Sequence, residues 1–209
     1  MLKLYWANIS ALCLRGVDFA LSEYRQNRLS QMKHEQKKKQ SLGAELLLMH
    51  AVKEIYPEHS FPLEINCNEH GKPALLHVPI YFSLSHSGDY AACVVSDSPV
   101  GIDIEQGFEE REEVSRRFFN SAERSYIASA KDKDRAFTRI WTAKESALKQ
   151  LGFGLSGGLK NIFVFDDFVL VEPDKNKLFL KQFSLEELYF SVCTEQKQEK
   201  IQIAKIDLG

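Results

Sequence analysis

The sequence of 209 residues is poor in cysteine, and its cysteines are not spaced as Cys-x-x-Cys pairs. Of the four, Cys93 and Cys193 lie in apolar runs, and we expect them to be buried thiols in a reducing compartment. Cys67 and His70 have the spacing of metal ligands, but no second pair accompanies them. A zinc site is therefore not predicted.

The sequence also lacks an excess of charge of either sign. It has 27 basic and 29 acidic residues, which leaves a net charge of −2. A nearly neutral chain argues against attraction of the whole protein to nucleic acid or to an anionic membrane surface. Any site for an anion must therefore be local, and we expect no nucleic-acid partner.

No segment of the sequence has the length and hydrophobicity needed to span a bilayer. Residues 4–14 have part of the pattern of a signal-peptide core, but Asn8 and Ser10 interrupt the run and Arg15 follows it. A first strand followed by a loop is the better interpretation. We therefore expect a cytoplasmic protein without a membrane partner.

What the sequence does contain is a succession of helical and strand patterns, in a length that fits one large domain or two small ones. Apolar positions at helical spacing predict helices over residues 22–30, 36–56, 114–130 and 133–151, the last closed by Gly152. Apolar runs predict strands over residues 1–10, 63–67, 81–84, 90–96 and 100–105. A closing antiparallel set is predicted over residues 162–171, 178–183, 188–194 and 201–206.

One internal similarity links the two parts of the chain. Residues 90–96, Tyr-Ala-Ala-Cys-Val-Val-Ser, resemble residues 189–195, Tyr-Phe-Ser-Val-Cys-Thr-Glu. Each segment follows helices and strands in a similar order. Two similar halves packed together would explain the similarity, and so would a chance match between two apolar strands.

Two carboxylates alternate with isoleucines in Val-Gly-Ile-Asp-Ile-Glu, residues 100–105. Residues two apart on a strand project to the same face, so Asp103 and Glu105 point together while the isoleucines point into the core. Gly101 permits a close backbone approach or a bulge beside them. The alternative is an edge strand whose polar side faces water. An ionised carboxylate is costly to bury unpaired, so a buried pair requires a counter-charge.

A third carboxylate, Glu145, lies in the predicted helix, where Trp141 and Lys149 share its face. Lys144 falls within the apolar stripe of the same helix, where a lysine either extends to water or meets a buried anion. Two interpretations of this helix are open. Glu145 and Lys149 form a surface ion pair one turn apart, or Glu145 binds a metal ion while the two lysines bind phosphate.

The type of ligand atom decides which metal the three carboxylates would suit. Mg²⁺ prefers oxygen ligands and is held by one or two carboxylates together with water and substrate phosphates. Asp103, Glu105 and Glu145 meet that requirement, and no histidine or cysteine cluster in the sequence competes for a softer metal. The sequence therefore predicts a magnesium site beside a phosphorylated ligand.

Ser85 and His86 follow a predicted strand, within a segment at residues 85–89 whose composition is typical of a hairpin turn. A hydroxyl and an imidazole at this position are both able to bind phosphate oxygens. A nucleophilic serine–histidine pair is the rival interpretation. Adjacent residues on an extended chain point in opposite directions, and the sequence has no Gly-x-Ser-x-Gly motif, so the rival interpretation is disfavoured.

Together these segments resemble the 4′-phosphopantetheinyl transferases of the long, surfactin-synthetase type. Four motifs carry the resemblance in the family's order: Gly-Lys-Pro at 71–73, Phe-Ser-Leu-Ser-His-Ser at 82–87, Gly-Ile-Asp-Ile-Glu at 101–105 and Trp-Thr-Ala-Lys-Glu-Ser-Ala-Leu-Lys at 141–149. Gly152, Gly154 and Leu155 continue the pattern. Ser83 departs from it by replacing the usual Asn, and Lys39 stands where many members have an Arg.

The resemblance implies an α+β fold of two similar α/β subdomains in one chain, related by pseudo-twofold symmetry. We expect the first subdomain at residues 1–102, in contact with the nucleotide and phosphates of coenzyme A. We expect the second at residues 103–209, with the metal ligands and the catalytic helix, and the active site in the cleft between the two. The implied reaction moves 4′-phosphopantetheine from coenzyme A to a serine of an acyl or peptidyl carrier protein and releases adenosine 3′,5′-bisphosphate.

The resemblance also assigns roles to single residues. Binding of Mg²⁺ is assigned to Asp103, Glu105 and Glu145. Catalysis is assigned to Glu145 and Lys149, with Glu123 as a helper. Contacts with coenzyme A are assigned to Lys39, Lys72, Pro73, Ser85, His86 and Lys149, to which the helix pattern adds Lys144 and the basic positions near Lys39 add Arg25 and Arg28. Contacts with the acidic carrier protein are expected at Arg116, Arg117, Phe118 and Phe119.

Two other functions are compatible with the same residues. One is a magnesium-dependent phosphohydrolase or nuclease, whose nucleic-acid form the near-neutral charge disfavours. The other is a coenzyme A-binding module without catalysis, which would tolerate loss of carboxylates that are all present here. The sequence does not indicate which carrier protein is served. We expect a monomer, because both halves lie in one polypeptide.

Overall fold

The computed structural model describes residues 1–14, 21–107, 109–153 and 158–208, and within them helices and strands are mixed, as predicted. The helices are α1 (Glu23–Gln31), α2 (Glu35–Ile55), α3 (Glu112–Phe118), α4 (Ser121–Ser129) and α5 (Lys133–Leu151). The strands are β1 (Leu2–Asn8), β2 (Ile65–Cys67), β3 (Pro73–Leu75), β4 (Tyr81–Ser87), β5 (Tyr90–Ser96), β6 (Val100–Gln106), β7 (Ile162–Val164), β8 (Phe168–Val171), β9 (Asn176–Leu185), β10 (Leu188–Thr194) and β11 (Gln202–Lys205). Gly154 and Leu155 of the family pattern lie outside the described residues. Within the described ranges, none of the helices is long and apolar enough to cross a membrane.

The chain divides into two units. The first comprises Met1–Pro99 together with Glu199–Gly209, and the second comprises Val100–Gln198. The predicted boundary after residue 102 lies three residues from the end of the first segment. The prediction also placed all residues after it in the second subdomain. There it differs from the structure, because β11 pairs with β1 of the first unit.

In the first unit, a mixed sheet packs against the long helix α2. The strand order is β11-β1-β5-β4, in which β5 is antiparallel to both β1 and β4, and β11 is parallel to β1. The helix buries an apolar stripe against the sheet. The residues of this stripe are Leu42, Leu47, Leu48, Ala51 and Val52. The expected place of residues 201–206 in a closing antiparallel set is wrong, because this segment joins the first sheet in parallel.

In the second unit, an antiparallel sheet packs against α5. Its strand order is β6-β10-β9-β8-β7. Ala143, Ala147 and Leu148 of the helix form a core with Ile162 and Val169 of the strands. The predicted strand over 162–171 is a hairpin of two short strands, β7 and β8.

Helix α5 has the predicted bounds. At its start, the Asp132 side chain accepts the N–H of Arg135 at 2.9 Å and so caps the first turn. At its end, Gly152 has a φ of 76°, a left-handed conformation that favours glycine. The start and the end of the helix that carries Glu145 and Lys149 are therefore determined by its capping residues, Asp132 and Gly152.

The helix predicted over residues 114–130 is two helices, α3 and α4. Phe119 between them has an extended backbone, with φ −101° and ψ 145°. Asn120 then begins α4 with a capping box, in which its side chain accepts the N–H of Glu123 and the Glu123 carboxylate accepts the N–H of Asn120, each at 2.9 Å. The single-helix prediction is wrong because apolar spacing continues across a break that only the cap residues mark.

The hairpin between β4 and β5 is tighter than predicted. Strand β4 includes Ser85 and His86, which pair with Ala92 and Ala91 of β5. The turn expected over residues 85–89 is thus reduced to the two residues between the strands. Ser85 and His86 therefore have the alternating directions of strand residues.

Cys93 and Cys193 are fully buried free thiols, as predicted. Burial raises the pKa of both thiols well above the ordinary value. Both cysteines lie on central strands that pack against a long helix, Cys93 on β5 and Cys193 on β10. They behave as small apolar core residues.

Candidate active site

The carboxylates of β6 lie on the face of the strand that meets α5. The strand pairs with β10 without interruption, so Gly101 provides a close approach and not a bulge. Ile102 and Ile104 are buried, as predicted. Asp103 is only 6% exposed and Glu105 is half-buried. The interpretation of an edge strand with its polar side in water is therefore wrong for Asp103.

Glu145 supplies the third carboxylate from α5 and is 8% exposed. Its Oε1 atom has no hydrogen-bond partner among the described residues. Burial, followed by the charge of Asp103, raises the pKa of Glu145 to about 7, while the ammonium of Lys149 opposes the shift. A buried carboxylate with an unused oxygen and a pKa near neutrality is suited to a bound cation or a transferable proton.

Lys149 supplies the counter-charge that the sequence required for the β6 carboxylates. Its ammonium lies 2.7 Å from Oδ1 of Asp103, with the lysine side chain partly exposed and the aspartate buried. Arg111, which sequence reasoning missed, has its Nη2 atom 4.0 Å from Oε1 of Glu105. Each carboxylate of β6 thus has a cationic neighbour within the second unit.

Asp103, Glu105 and Glu145 are close enough for their charges to interact, since both β6 carboxylates raise the pKa of Glu145. In the part of the chain that the structure describes, no group of three or more histidine, cysteine, aspartate or glutamate side chains is arranged to hold a metal ion. The predicted magnesium site therefore stays a prediction from the sequence.

Lys144 has a structural role in place of the predicted phosphate contact. The side chain is fully buried, and its ammonium binds Oε2 of Glu123 at 2.9 Å, the carbonyl oxygen of Leu159 at 3.0 Å and the carbonyl oxygen of Ile162. An ammonium has three N–H groups, and these three acceptors use them all. The lysine on the apolar stripe meets a buried anion, which was one of the two outcomes predicted for it.

Glu123 likewise has a structural role in place of the predicted catalytic one. It is 5% exposed and, besides binding Lys144, accepts the N–H groups of Asn120 at 2.9 Å and Val164 at 3.3 Å. The carboxylate thereby links α4, α5 and β7. Asn120 followed by Glu123 is the capping-box pattern, so this role was readable from the sequence but was missed.

In the first unit, Lys72 and Pro73 lie at a turn that Asn68 organises. The side-chain oxygen of Asn68 accepts the N–H groups of His70 at 3.0 Å and Lys72 at 2.8 Å. Its backbone N–H donates to the carbonyl of Lys72 at 3.0 Å. Both predicted ligand residues are half-buried. Asn68 was not predicted, although asparagine commonly forms such turns.

Ser85 and His86 point to opposite faces of β4, Ser85 being buried and His86 exposed. Their opposite directions exclude a direct nucleophile–base pair. The turn that follows is held by α2, because Gln36 and Gln40 donate to the carbonyl of Gly88 at 2.8 and 2.9 Å. The position of His86 is thus fixed by the helix on which Lys39 also lies.

Lys39 is half-buried on α2 and donates to the carbonyl of Ser10 at 2.9 Å. Arg25, a predicted additional contact for phosphate, is instead 6% exposed and part of the core. Its guanidinium binds Oε2 of Glu45 at 2.8 Å and the hydroxyl of Ser41. The predicted phosphate contact of Lys39 stays a prediction from the sequence.

Comparison with known proteins gives a family match for the second half of the chain. Residues 99–205 match the family model of the 4′-phosphopantetheinyl transferase superfamily. This segment includes β6 and α5 and therefore contains all three predicted metal ligands and Lys149. The match thus covers the candidate site of the second unit.

Three relatives give alignments that are longer than the second unit and therefore include part of the first. The chain is 32% identical over 170 residues to the 4′-phosphopantetheinyl transferase Sfp of Bacillus subtilis (strain 168), an alignment that spans 77% of this chain and 75% of the relative. It is 30% identical over 184 residues to another 4′-phosphopantetheinyl transferase of Bacillus subtilis, spanning 83% and 82%. It is 33% identical over 126 residues to the 4′-phosphopantetheinyl transferase psf-1 of Bacillus pumilus, spanning 59% and 54%.

Proposed function

The chain belongs to the 4′-phosphopantetheinyl transferase superfamily, and we propose that it transfers the 4′-phosphopantetheine group of coenzyme A to a serine hydroxyl of an acyl or peptidyl carrier protein. In this reaction the serine Oγ forms a bond to the phosphorus that carries the pantetheine. The bond between that phosphorus and the bridging oxygen of the diphosphate breaks. Adenosine 3′,5′-bisphosphate leaves, and the serine gives up its proton.

The observation that carries the proposal is the environment of Glu145. The carboxylate is buried beside Asp103, has an unused oxygen, and has a pKa of about 7. A general base works best when its pKa lies near the working pH. Without a bound cation Glu145 therefore suits removal of the serine proton, and a cation on its Oε1 atom would lower that pKa. Lys149 beside it suits stabilisation of charge on the diphosphate.

The residues present fit a magnesium ion by the chemistry of their donors. Asp103, Glu105 and Glu145 offer carboxylate oxygens, and the unused Oε1 of Glu145 is a buried acceptor that a cation would satisfy. The three side chains would hold the ion with the diphosphate of coenzyme A. When bound, Mg²⁺ supplies charge neutralisation on the diphosphate oxygens.

The remaining residues bind and orient the substrate. Lys149 places a positive charge beside Asp103, where the diphosphate would lie, and exchanges an internal ion pair for a phosphate contact. Arg111 is positioned next to Glu105 and limits repulsion between that carboxylate and the anionic substrate. Orientation and charge neutralisation are the main sources of rate enhancement in phosphoryl transfer.

The first unit binds coenzyme A in this proposal, through the predicted contacts of Lys39, Lys72, Pro73, Ser85 and His86. Each unit has a long helix packed against a fully buried strand, and these strands are the two segments whose sequences resemble each other. This parallel supports a pseudo-twofold relation between the subdomains. The cleft between them as the substrate site remains a prediction from the resemblance.

The carrier protein is expected to bind at α3, where Arg116 and Arg117 are exposed. The Arg117 guanidinium lies 5.0 Å from the centre of the Phe118 ring, so charge and apolar surface occur together there. Phe119 is buried against Phe137 and belongs to the core instead. A monomeric state and a cytoplasmic location are also part of the proposal and rest on the sequence.

The proposal is tested by incubating the purified chain with coenzyme A, Mg²⁺ and apo-carrier proteins, and weighing the carriers by mass spectrometry. We expect a gain of one phosphopantetheine group on the carrier and formation of adenosine 3′,5′-bisphosphate in equal amount. A carrier whose acceptor serine is replaced by alanine is the control. No mass gain on any of several unrelated fatty-acid, polyketide and peptide carriers would overturn the proposal.

A further inference from the structure

Gly101 lies on β6 at a place where the backbone of α5 packs closely on the strand. A Cβ atom built on this residue would come within 3.0 Å of the Ser146 carbonyl oxygen, the Gln150 backbone nitrogen and the Gln150 Cβ. The first two are backbone atoms of α5, so no change of rotamer relieves the contact. The missing side chain at Gly101 therefore sets how closely α5 approaches β6.

Two residues of α5 contact Gly101, and each of them comes immediately after one of the two residues of this helix to which we assign a function. Ser146 follows Glu145, and Gln150 follows Lys149. On the strand, Asp103 is two residues beyond Gly101 and so lies on the same face. The separation of α5 from β6 at Gly101 therefore also determines their separation two residues further along the strand, where Lys149 binds Asp103 at 2.7 Å.

We propose that Gly101 is a positioning residue for the transfer reaction, acting through the separation of Glu145 and Lys149 on α5 from Asp103 on β6. This inference rests on the proposed function. It assigns the glycine a task other than flexibility, because the strand is regular at this position and paired without a bulge. A side chain at residue 101 would force α5 away from the strand by roughly 1 Å, and a misplacement of that size commonly costs about a hundredfold in rate.

The first unit offers a matched control. Gly43 on α2 is also closely packed, and a Cβ atom there would lie 2.5 Å from Cγ2 of Ile9 and 3.4 Å from Cβ of Ala91. Both atoms belong to side chains within the first unit's core. Gly43→Ala therefore perturbs a closely packed glycine contact in the core of the first unit without altering the spacing of the carboxylates in the second unit.

The experiment compares Gly101→Ala and Gly43→Ala with the parent protein. Turnover per folded molecule is measured at a temperature where circular dichroism shows each variant folded, and Mg²⁺ binding is measured by calorimetry in the presence of coenzyme A. For Gly101→Ala we expect kcat to fall about a hundredfold and Mg²⁺ to bind about tenfold more weakly. For Gly43→Ala we expect both quantities within about twofold of the parent.

A second variant keeps the test decisive if Gly101→Ala does not fold. Cys193 pairs with Gly101 across β10 and β6, and its sulfur lies 3.2 Å from the Ser146 hydroxyl oxygen, beneath the same part of α5. Cys193→Val places an additional methyl branch beneath α5, and we expect it to displace the helix less than Gly101→Ala does. We expect its kcat to fall by about tenfold with little change in the KM for coenzyme A.

Each outcome decides a different question. Suppose that the parent transfers phosphopantetheine and that Gly101→Ala has the same kcat and Mg²⁺ affinity as Gly43→Ala. The inference about Gly101 is then wrong, and the same holds for Cys193→Val where it replaces Gly101→Ala in the test. If the parent itself transfers nothing, the proposed function fails. The calorimetric comparison of the variants still shows in that case whether Gly101 positions the carboxylates.

Discussion

The two long helices each bury one glutamate, and the two carboxylates have opposite surroundings. Glu45 of α2 is fully buried, its Oε1 accepting the N–H of Ser22 at 2.7 Å and its Oε2 accepting the Nε–H of Arg25 at 2.8 Å. Glu145 of α5 is almost as buried, yet its Oε1 lacks a partner among the described residues. The complete pairing of Glu45 fits a carboxylate that holds the fold, and the unused oxygen of Glu145 is the atom that the proposed function assigns to a ligand.

The glycines of the two helix–sheet contacts differ in the same sense. Gly43 of the first unit faces side chains, whereas Gly101 of the second unit faces the backbone of α5. A side-chain contact adjusts to a small change, and a backbone contact does not. The second unit therefore has a more sharply fixed helix–strand spacing, at a point two residues before Asp103 on the same strand.

The strongest test of this comparison is Glu145→Gln. The substitution removes the charge and the base while preserving the size of the side chain, so we expect the fold to be retained and kcat to fall by roughly a thousandfold or more. The measurement is the rate of carrier modification, with circular dichroism as the check on folding. Turnover near that of the parent would show that Glu145 has no part in the reaction. The contrast drawn between Glu45 and Glu145 would then be wrong.

The reciprocal substitution, Glu45→Gln, is expected to affect stability and not turnover. It leaves the buried guanidinium of Arg25 without its counter-charge, which commonly costs about 3 kcal/mol. Urea denaturation measures the loss, and the activity assay is corrected for the folded fraction. A large drop in kcat per folded molecule would contradict a purely structural role for Glu45.

The pH dependence of stability separates the two glutamates further. The folded-state pKa of Glu145 is raised from 4.5 to about 7, so its stabilising contribution is complete below about pH 4.5 and is lost as the pH rises through 7. Relative to Glu145→Gln, the free energy of unfolding of the parent in chelator should fall by about 2.5 kcal/mol between pH 5 and pH 8. A difference between the two proteins that does not change with pH would show that Glu145 is ionised normally.

The smallest expected effect lies in the first unit. Lys39→Ala removes a cation that we assign to a phosphate of coenzyme A, so the KM for coenzyme A should rise about tenfold while kcat stays unchanged. Lys37→Ala, one of the exposed positions of the same helix, is the matched control. An equal KM in the two variants would show that Lys39 does not contact the ligand.

Local sequence patterns predicted α5, the helix that carries Glu145 and Lys149. The bounds of α5 followed from its apolar stripe, its capping aspartate and Gly152, and the common face of Asp103 and Glu105 followed from the period of a strand. These features depend on neighbours in sequence, which is why the sequence was sufficient. The assignment of Asp103, Glu105 and Glu145 to magnesium came from residue type, spacing and the family resemblance, and it stays a prediction.

Features that depend on distant contacts were not predicted. Lys144 was expected to bind phosphate, but the acceptors that saturate it come from α4, from the segment before β7 and from the first residue of β7. The parallel pairing of β11 with β1 likewise depends on residues about two hundred positions apart. Only the break before Glu123 was visible in advance, because Asn120 and Glu123 have the spacing of a capping box.

The pairing of β11 with β1 makes the second unit an insertion within the chain of the first. Because a ribosome releases the chain from its amino end, the sequence of the second unit emerges in full before β11 does. Until then β1 has β5 on one side only, and an open strand edge is a template for pairing with other chains. We therefore expect the edge of β1 to stay open throughout translation of the second unit, until the residues of β11 have emerged.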